Sequence, residues 1–191
     1  MSSTFDSLVA KIRSIGEAYC ENQMYVWPGF DPLDPKPRSF FKNRGIKFDG
    51  DLFIRYLVKQ TFSPLSEDQL DLQEHSLGVI LPVDYKQLLQ HFGPVHLPGK
   101  ANIIIKSPEE AIKTTLATWC YEGTPLSVLA ISSYNQTSDG NSIGFIRSGD
   151  RFQPEIYEFD HELYRHGDNP GLWTRKVGES LADFLLEYLN Q

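Results

Sequence analysis

Apolar residues recur along this chain at two spacings, and the switches between them lay out its elements. Phe5, Leu8, Val9, Ile12, Ile15 and Tyr19 keep one helical face over residues 4–22, with Ser2 or Ser3 as N-cap. The proline-rich segment Trp27–Arg38 cannot continue a helix and reads as an extended connector. A further helix is expected over Asp51–Gln60, with Leu52, Phe53, Tyr56 and Leu57 apolar.

The densest local signals lie between Pro64 and Gly93. Ser66-Glu67-Asp68-Gln69 is a capping box, and Leu65 and Leu70 have the spacing of a hydrophobic staple. Gly78 can take the left-handed turn that ends this helix. Pro82 suits the first position of the next helix, and Asp84 follows in its first turn. Tyr85, Leu88, Leu89 and Phe92 form one apolar stripe before Gly93-Pro94 stops it. Leu77, Leu81, Leu88 and Phe92 are candidate core residues.

Beyond Pro94 the spacing shortens. Ala101–Ile105 reads as a strand, and Ser107-Pro108-Glu109-Glu110 caps a helix through Trp119 with a stripe of Ile112, Thr115, Leu116 and Trp119. Leu126–Ile131, Ser142–Arg147 and Glu155–Phe159 follow as strands of an antiparallel sheet. Glu179–Leu189 closes as a helix with Leu181, Phe184, Leu185 and Tyr188 on one face. No internal repeat or low-complexity tract interrupts the order.

The motif E-x-x-L-G-x-x-L-P-x-D-Y over Glu74–Tyr85 resembles the opening signature of the SMI1/KNR4, or SUKH, superfamily. The remaining landmarks follow in order. They are the Leu129-Ala130-Ile131 strand, the Asp139-Gly140-Asn141 turn, Gly144-Phe145, the run from Pro154 through Tyr157 to Glu162, and a closing helix from Val177. The resemblance divides the chain into a helical and proline-rich extension, 1–65, and a SUKH domain, 66–191. The expected fold is α+β, an antiparallel sheet of about four to six strands with helices packed largely on one face.

Composition narrows the function classes. No run is long and apolar enough to span a membrane, and the N-terminus lacks a signal-peptide core, which points to a cytoplasmic protein with no membrane partner. Cys20 and Cys120 have no partner pattern and read as reduced thiols. Residues 1–65 hold nine Lys/Arg and seven Asp/Glu, a balance of +2, whereas residues 66–191 hold nine and eighteen, a balance of −9. An acidic domain repels nucleic acid and attracts basic proteins. Phe40 and Phe41 lie in a basic run of Lys36, Arg38, Lys42, Arg44 and Lys47, where packing and solvation explain them more simply than base stacking does.

Candidate chemistry is sparse. Asp160-His161-Glu162, with Asp139 nearby, is the one dense set of possible metal ligands. Strand alternation would put Asp160 and Glu162 on one face and turn His161 away, so only two carboxylates converge. The simpler expectation is that Tyr157, Phe159 and His161 face inward while Glu158, Asp160 and Glu162 face solvent. The sequence holds no nucleophile elbow, phosphate loop, dinucleotide fingerprint or helical zinc motif. No cofactor is therefore expected.

The resemblance implies a non-catalytic binding protein. Members of the superfamily act mostly as immunity proteins that hold and neutralise a cognate bacterial polymorphic toxin, often a nuclease; fungal relatives regulate cell-wall synthesis. The expected partner is a basic toxin domain. Asp139, Glu155, Glu158, Asp160 and Glu162 are the candidate contacts; Trp173, on a turn-rich loop, is read either as an aromatic anchor for the partner or as a cap on the core beneath the last helix. The alternatives are a regulatory adaptor of the fungal kind, which the compact chain suits less well, and a metal-dependent hydrolase built on Asp139, Asp160, His161 and Glu162.

Overall fold

The fold is that of a computed structural model, which describes residues 3–15, 19–25, 46–49, 53–59, 62–97, 103–119, 126–134, 141–164 and 169–190. Two compact units emerge: Met1–Gly16 with Phe62–Gln191, and Glu17–Thr61. The sequence boundary at residue 65 grouped the first helix with the extension. The chain contacts group it with the main body, because α1 (Thr4–Ile15) buries Leu8 and Ile12 in the principal core.

The smaller unit holds three antiparallel strands, β1 (Tyr19–Tyr25), β2 (Ile46–Asp49) and β3 (Phe53–Lys59), in the order β1-β3-β2. Two expectations fail here. The helix expected through residue 22 ends at Ile15, before Gly16, and Tyr19 begins a strand. The helix expected over Asp51–Gln60 is strand β3. Ile54, Tyr56 and Val58 alternate as well as they follow a helical stripe, and β-branched and aromatic residues favour the strand. The proline-rich connector, Phe40, Phe41 and Cys120 lie outside the described residues.

In the larger unit, α2 (Glu67–Leu77) carries the capping box in full. The Ser66 hydroxyl accepts from Gln69 N–H, and the Gln69 side chain accepts from Ser66 N–H. Gly78 closes it at φ 60°, in the left-handed region that favours glycine. In α3 (Val83–Phe92), Pro82 is the N-cap and not the first helical residue. Tyr85, Leu88, Leu89 and Phe92 are all buried, as is Leu81, while Leu77 is half-buried. Then come β4 (Val95–Leu97), β5 (Ile103–Ile105), α4 (Pro108–Thr118), β6 (Val128–Tyr134), β7 (Ser142–Ser148), β8 (Arg151–Phe152), β9 (Ile156–Phe159), a short 3-10 turn at Pro170–Leu172, β10 (Thr174–Gly178) and α5 (Leu181–Leu189).

The sheet runs β10-β9-β7-β6-β5-β4, antiparallel at each pairing, with β8 added to the end of β7. This is the expected α+β architecture. Leu97, Ile105, Leu129, Phe145 and Ile156 line one face and pack with Leu8, Leu70, Leu88, Ala111 and Leu185 from the five helices. Alternation sends Val128, Ala130 and Phe159 to the other face, where they meet Trp119 and Trp173 in a second, smaller core.

One helix reaches both cores. Along β6, strand β5 pairs only with Ser132–Tyr134, leaving the first half of β6 without a strand on that side among the described residues. Helix α4 lies there instead. The Thr115 hydroxyl donates to Ala111 O at 2.7 Å and accepts from Ala130 N–H at 2.8 Å, so a side chain completes the strand's hydrogen bonding. The buried stripe of α4 is Pro108, Ala111, Thr115 and Trp119, and Leu116, expected on it, is 46% exposed. Thr115→Val preserves shape but orphans the buried Ala130 N–H. It should cost about 1–3 kcal/mol, read as a lowered urea midpoint with unchanged slope; an unchanged midpoint would remove this bond from the account.

Candidate functional site

The expected acidic face does not form as one surface, because strand alternation stops at Phe159. Glu158 lies in β9 opposite Arg175 of β10, bonds its guanidinium, and accepts from Asn141 Nδ2 at 3.2 Å. Its side chain is 16% exposed, so this charge is matched and half-buried. Asp160 follows the strand and caps a turn, its Oδ1 accepting from Glu162 N–H at 2.9 Å and Leu163 N–H at 3.2 Å. His161, expected inward, is exposed; its ring Nδ1 lies 3.0 Å from Asn141 Oδ1. Glu162 is exposed in the same turn and Glu155 half-exposed in the bend before β9. Asp139 lies outside the described residues.

Trp173 takes the core position and not that of a surface anchor. It is 2% exposed and cannot meet a partner without unfolding its surroundings. Its ring stacks on Trp119 at 5.4 Å between centroids and meets Phe159 and Tyr164 edge-on. The Tyr164 hydroxyl donates to Trp119 O at 3.0 Å and locks this aromatic block. Both indole N–H groups are buried without a hydrogen-bond partner among the described residues. The loop pattern that suggested a surface anchor is a 3-10 turn capped by Asn169, which drops the tryptophan back into the second core.

Further exposed carboxylates lie on the closing helix. Ser180 caps α5, and Glu179, Asp183 and Glu187 share an exposed side at and after that cap. Glu179 bonds Lys176 of β10. That bond, ahead of the nearby Glu155 and Tyr157, holds the Lys176 ammonium above the usual lysine range. Asp183 accepts only from Ser180, and neither it nor Glu187 has an ion pair among the described residues. These residues line a cleft of about 410 Å³ together with Val177, Gly178 and Phe184. A second cleft of about 350 Å³ lies toward the other end of β10, with Leu163, Leu172, Thr174 and Arg175 in its wall. The spacing of Asp183 and Glu187, four apart opposite Leu181 and Leu185, was readable in the sequence.

Among the described residues, no three of His, Cys, Asp or Glu stand together as a metal-ligand set. Asp160 and His161 are held by turn and Asn141 contacts instead. No helix among these residues is long and apolar enough to cross a membrane.

A family model described as SMI1-KNR4 cell-wall matches residues 67–185. The chain belongs to the SMI1-KNR4 family. No curated protein and no solved structure matches it. The matched span starts at the first residue of α2 and ends inside α5, so α1 and the strands of the smaller unit lie outside it.

The family signature at Glu74–Tyr85 is a structural joint. Glu74 Oε1 accepts from Leu81 N–H at 2.7 Å, and its Oε2 accepts from Lys86 Nζ at 2.9 Å. This bond chiefly raises the Lys86 pKa above the ordinary lysine value, with Asp71 adding to it. Asp84 Oδ2 accepts from Ala182 N–H at 3.2 Å, satisfying a free donor in the first turn of α5. The buried Tyr85 hydroxyl donates to Lys106 O at 2.7 Å, where β5 passes into α4. Burial, and then the Glu110 charge, hold that phenol well above its usual range. Glu74 thus closes the α2–α3 corner on itself, while Asp84 and Tyr85 tie that corner to α5 and to the β5–α4 junction.

Proposed function

We propose that this SMI1-KNR4 protein is a non-catalytic, immunity-type binder that holds and neutralises one cognate basic toxin domain in the cytoplasm. The observation that carries this reading is the pair of unmatched, exposed carboxylates, Asp183 and Glu187, in a family domain with nine excess negative charges over residues 66–191. A nuclease or other phosphate-handling toxin needs a basic surface, and an acidic inhibitor covers that surface after steered, rapid encounter. Glu155, Glu162, Glu179, Asp183 and Glu187 make up the proposed contact set. Glu158 and Asp160 serve it from behind, one matched by Arg175 and the other shaping the turn that presents Glu162.

The reading expects a toxin domain to be encoded beside this chain's gene, and the test uses that domain. Co-purification and rescue of toxin-expressing cells are expected. Raising salt from low to physiological should slow association more than it speeds dissociation. Reversing Glu162 and Glu187 together to Lys should slow association about tenfold at low salt, with the melting temperature preserved. Full rescue by that variant, with salt-independent association, would end the acidic-surface reading.

The words cell-wall in the family description favour a second reading, a regulatory adaptor for cell-wall synthesis. Capture of a wall-synthesis protein without protection against any neighbouring toxin would select it.

A further inference from the structure

Strand β10 ends the sheet, and among the described residues no strand pairs with its outer side. The direction of its backbone groups follows from one bond: Asp160 N–H donates to Trp173 O at 2.9 Å, which fixes the phase of the β9–β10 ladder. Antiparallel ladders alternate, so Trp173 and Arg175 turn their backbone groups toward β9, while Thr174 and Lys176 turn theirs outward. The two clefts described above abut this strand. One presents Asp183 and Glu187, neither with an ion pair among the described residues, beside the Lys176–Glu179 pair; the other has Leu163 and Leu172 in its wall, 58% and 69% exposed.

We infer that β10 is a docking edge to which a basic, extended segment of the partner adds as a further strand. The segment places lysine or arginine over Asp183 and Glu187 and an apolar residue against Leu163 and Leu172. This rests on the reading that the partner is a basic protein, and it names the part of that partner that is bound. Backbone bonds to Thr174 and Lys176 supply affinity, and the clefts supply selectivity.

Charge decides against a second copy as the occupant. Two chains paired through β10 would bring the Asp183 and Glu187 carboxylates of both copies into one neighbourhood, where like charges repel. Lys176 and the register slip between Lys176 and Gly178 are the features by which edge strands avoid self-pairing. Neither blocks a basic segment, because Glu179 already holds the Lys176 ammonium.

The probe is a short synthetic peptide alternating lysine and valine, compared with its glutamate-for-lysine counterpart by fluorescence anisotropy on the full chain. The lysine peptide should bind and the glutamate peptide should not. Lys176→Pro removes an outward N–H without breaking a bond to β9. It should weaken the lysine peptide at least about tenfold. Glu187→Lys leaves β10 untouched and should also weaken the lysine peptide, so the test stands even if the proline variant fails to fold. Equal binding of the two peptides, or Glu187→Lys and Lys176→Pro both without effect, would overturn the edge. A toxin domain that binds folded Lys176→Pro at full strength keeps the basic-partner reading and removes the edge. Peptide binding at β10 with no toxin captured keeps the edge and removes that reading.

Discussion

Gly144→Ala should leave little folded protein. Gly144 sits in β7 between Ala130 of β6 and Tyr157 of β9, and its φ is ordinary, so the constraint is space. A Cβ there would overlap the Leu129 carbonyl and press on the Ala130 backbone, where the β6–β7 register slips between Ala130 and Ser132. These atoms are β6 backbone, which cannot yield as a side-chain tip can. The expected cost is upwards of about 4 kcal/mol, most of the margin of a typical domain. Soluble yield and urea midpoint are the readouts. Gly149→Ala is the matched control: φ is 66° but nothing lies within 4 Å, so only about 1 kcal/mol of backbone strain is expected. Equal, small losses for both would show that β6 can move away.

Leu88→Ala is expected to cost about 2–5 kcal/mol. The side chain is fully buried with Tyr85, Leu89 and Phe92 on the inner face of α3, and it joins the principal core. Leu116→Ala removes the same atoms from an exposed position on α4 and should change stability by no more than about 0.5 kcal/mol. Thermal melts of the pair separate burial from residue type. A Leu88→Ala melting temperature equal to that of the parent would mean that the stripe is not packed.

The sequence showed most clearly where a residue does one local thing. Ser66, Gln69, Gly78 and Ser107 act on their own helix ends, so their types and spacing sufficed. The stripe from Tyr85 to Phe92 was legible for the same reason. Phe53–Lys59 was not, since seven residues fit both periods and strand pairing decided. Strand β10 escaped notice because Thr-Arg-Lys-Val-Gly is a charged edge with little apolar alternation to display. The acidic site was misjudged by extending strand geometry past Phe159 into a turn, which reversed the expectation for His161. The fate of Trp173 depends on Trp119, Phe159 and Tyr164, which only the fold brings together.

The bond from Ala130 N–H to the Thr115 hydroxyl has a consequence for how the domain opens. Helix α4 places Ala111 in one core and Trp119 in the other, with Thr115 between them gripping the middle strand. Loosening the aromatic block would free Trp119, tilt the end of α4 and expose a donor that no neighbouring strand can take. Fluctuations confined to one side of the sheet are therefore penalised by the other side. The Ala130 amide should exchange with solvent hydrogen at the pace of whole-domain opening, although a side chain, not a strand, protects it.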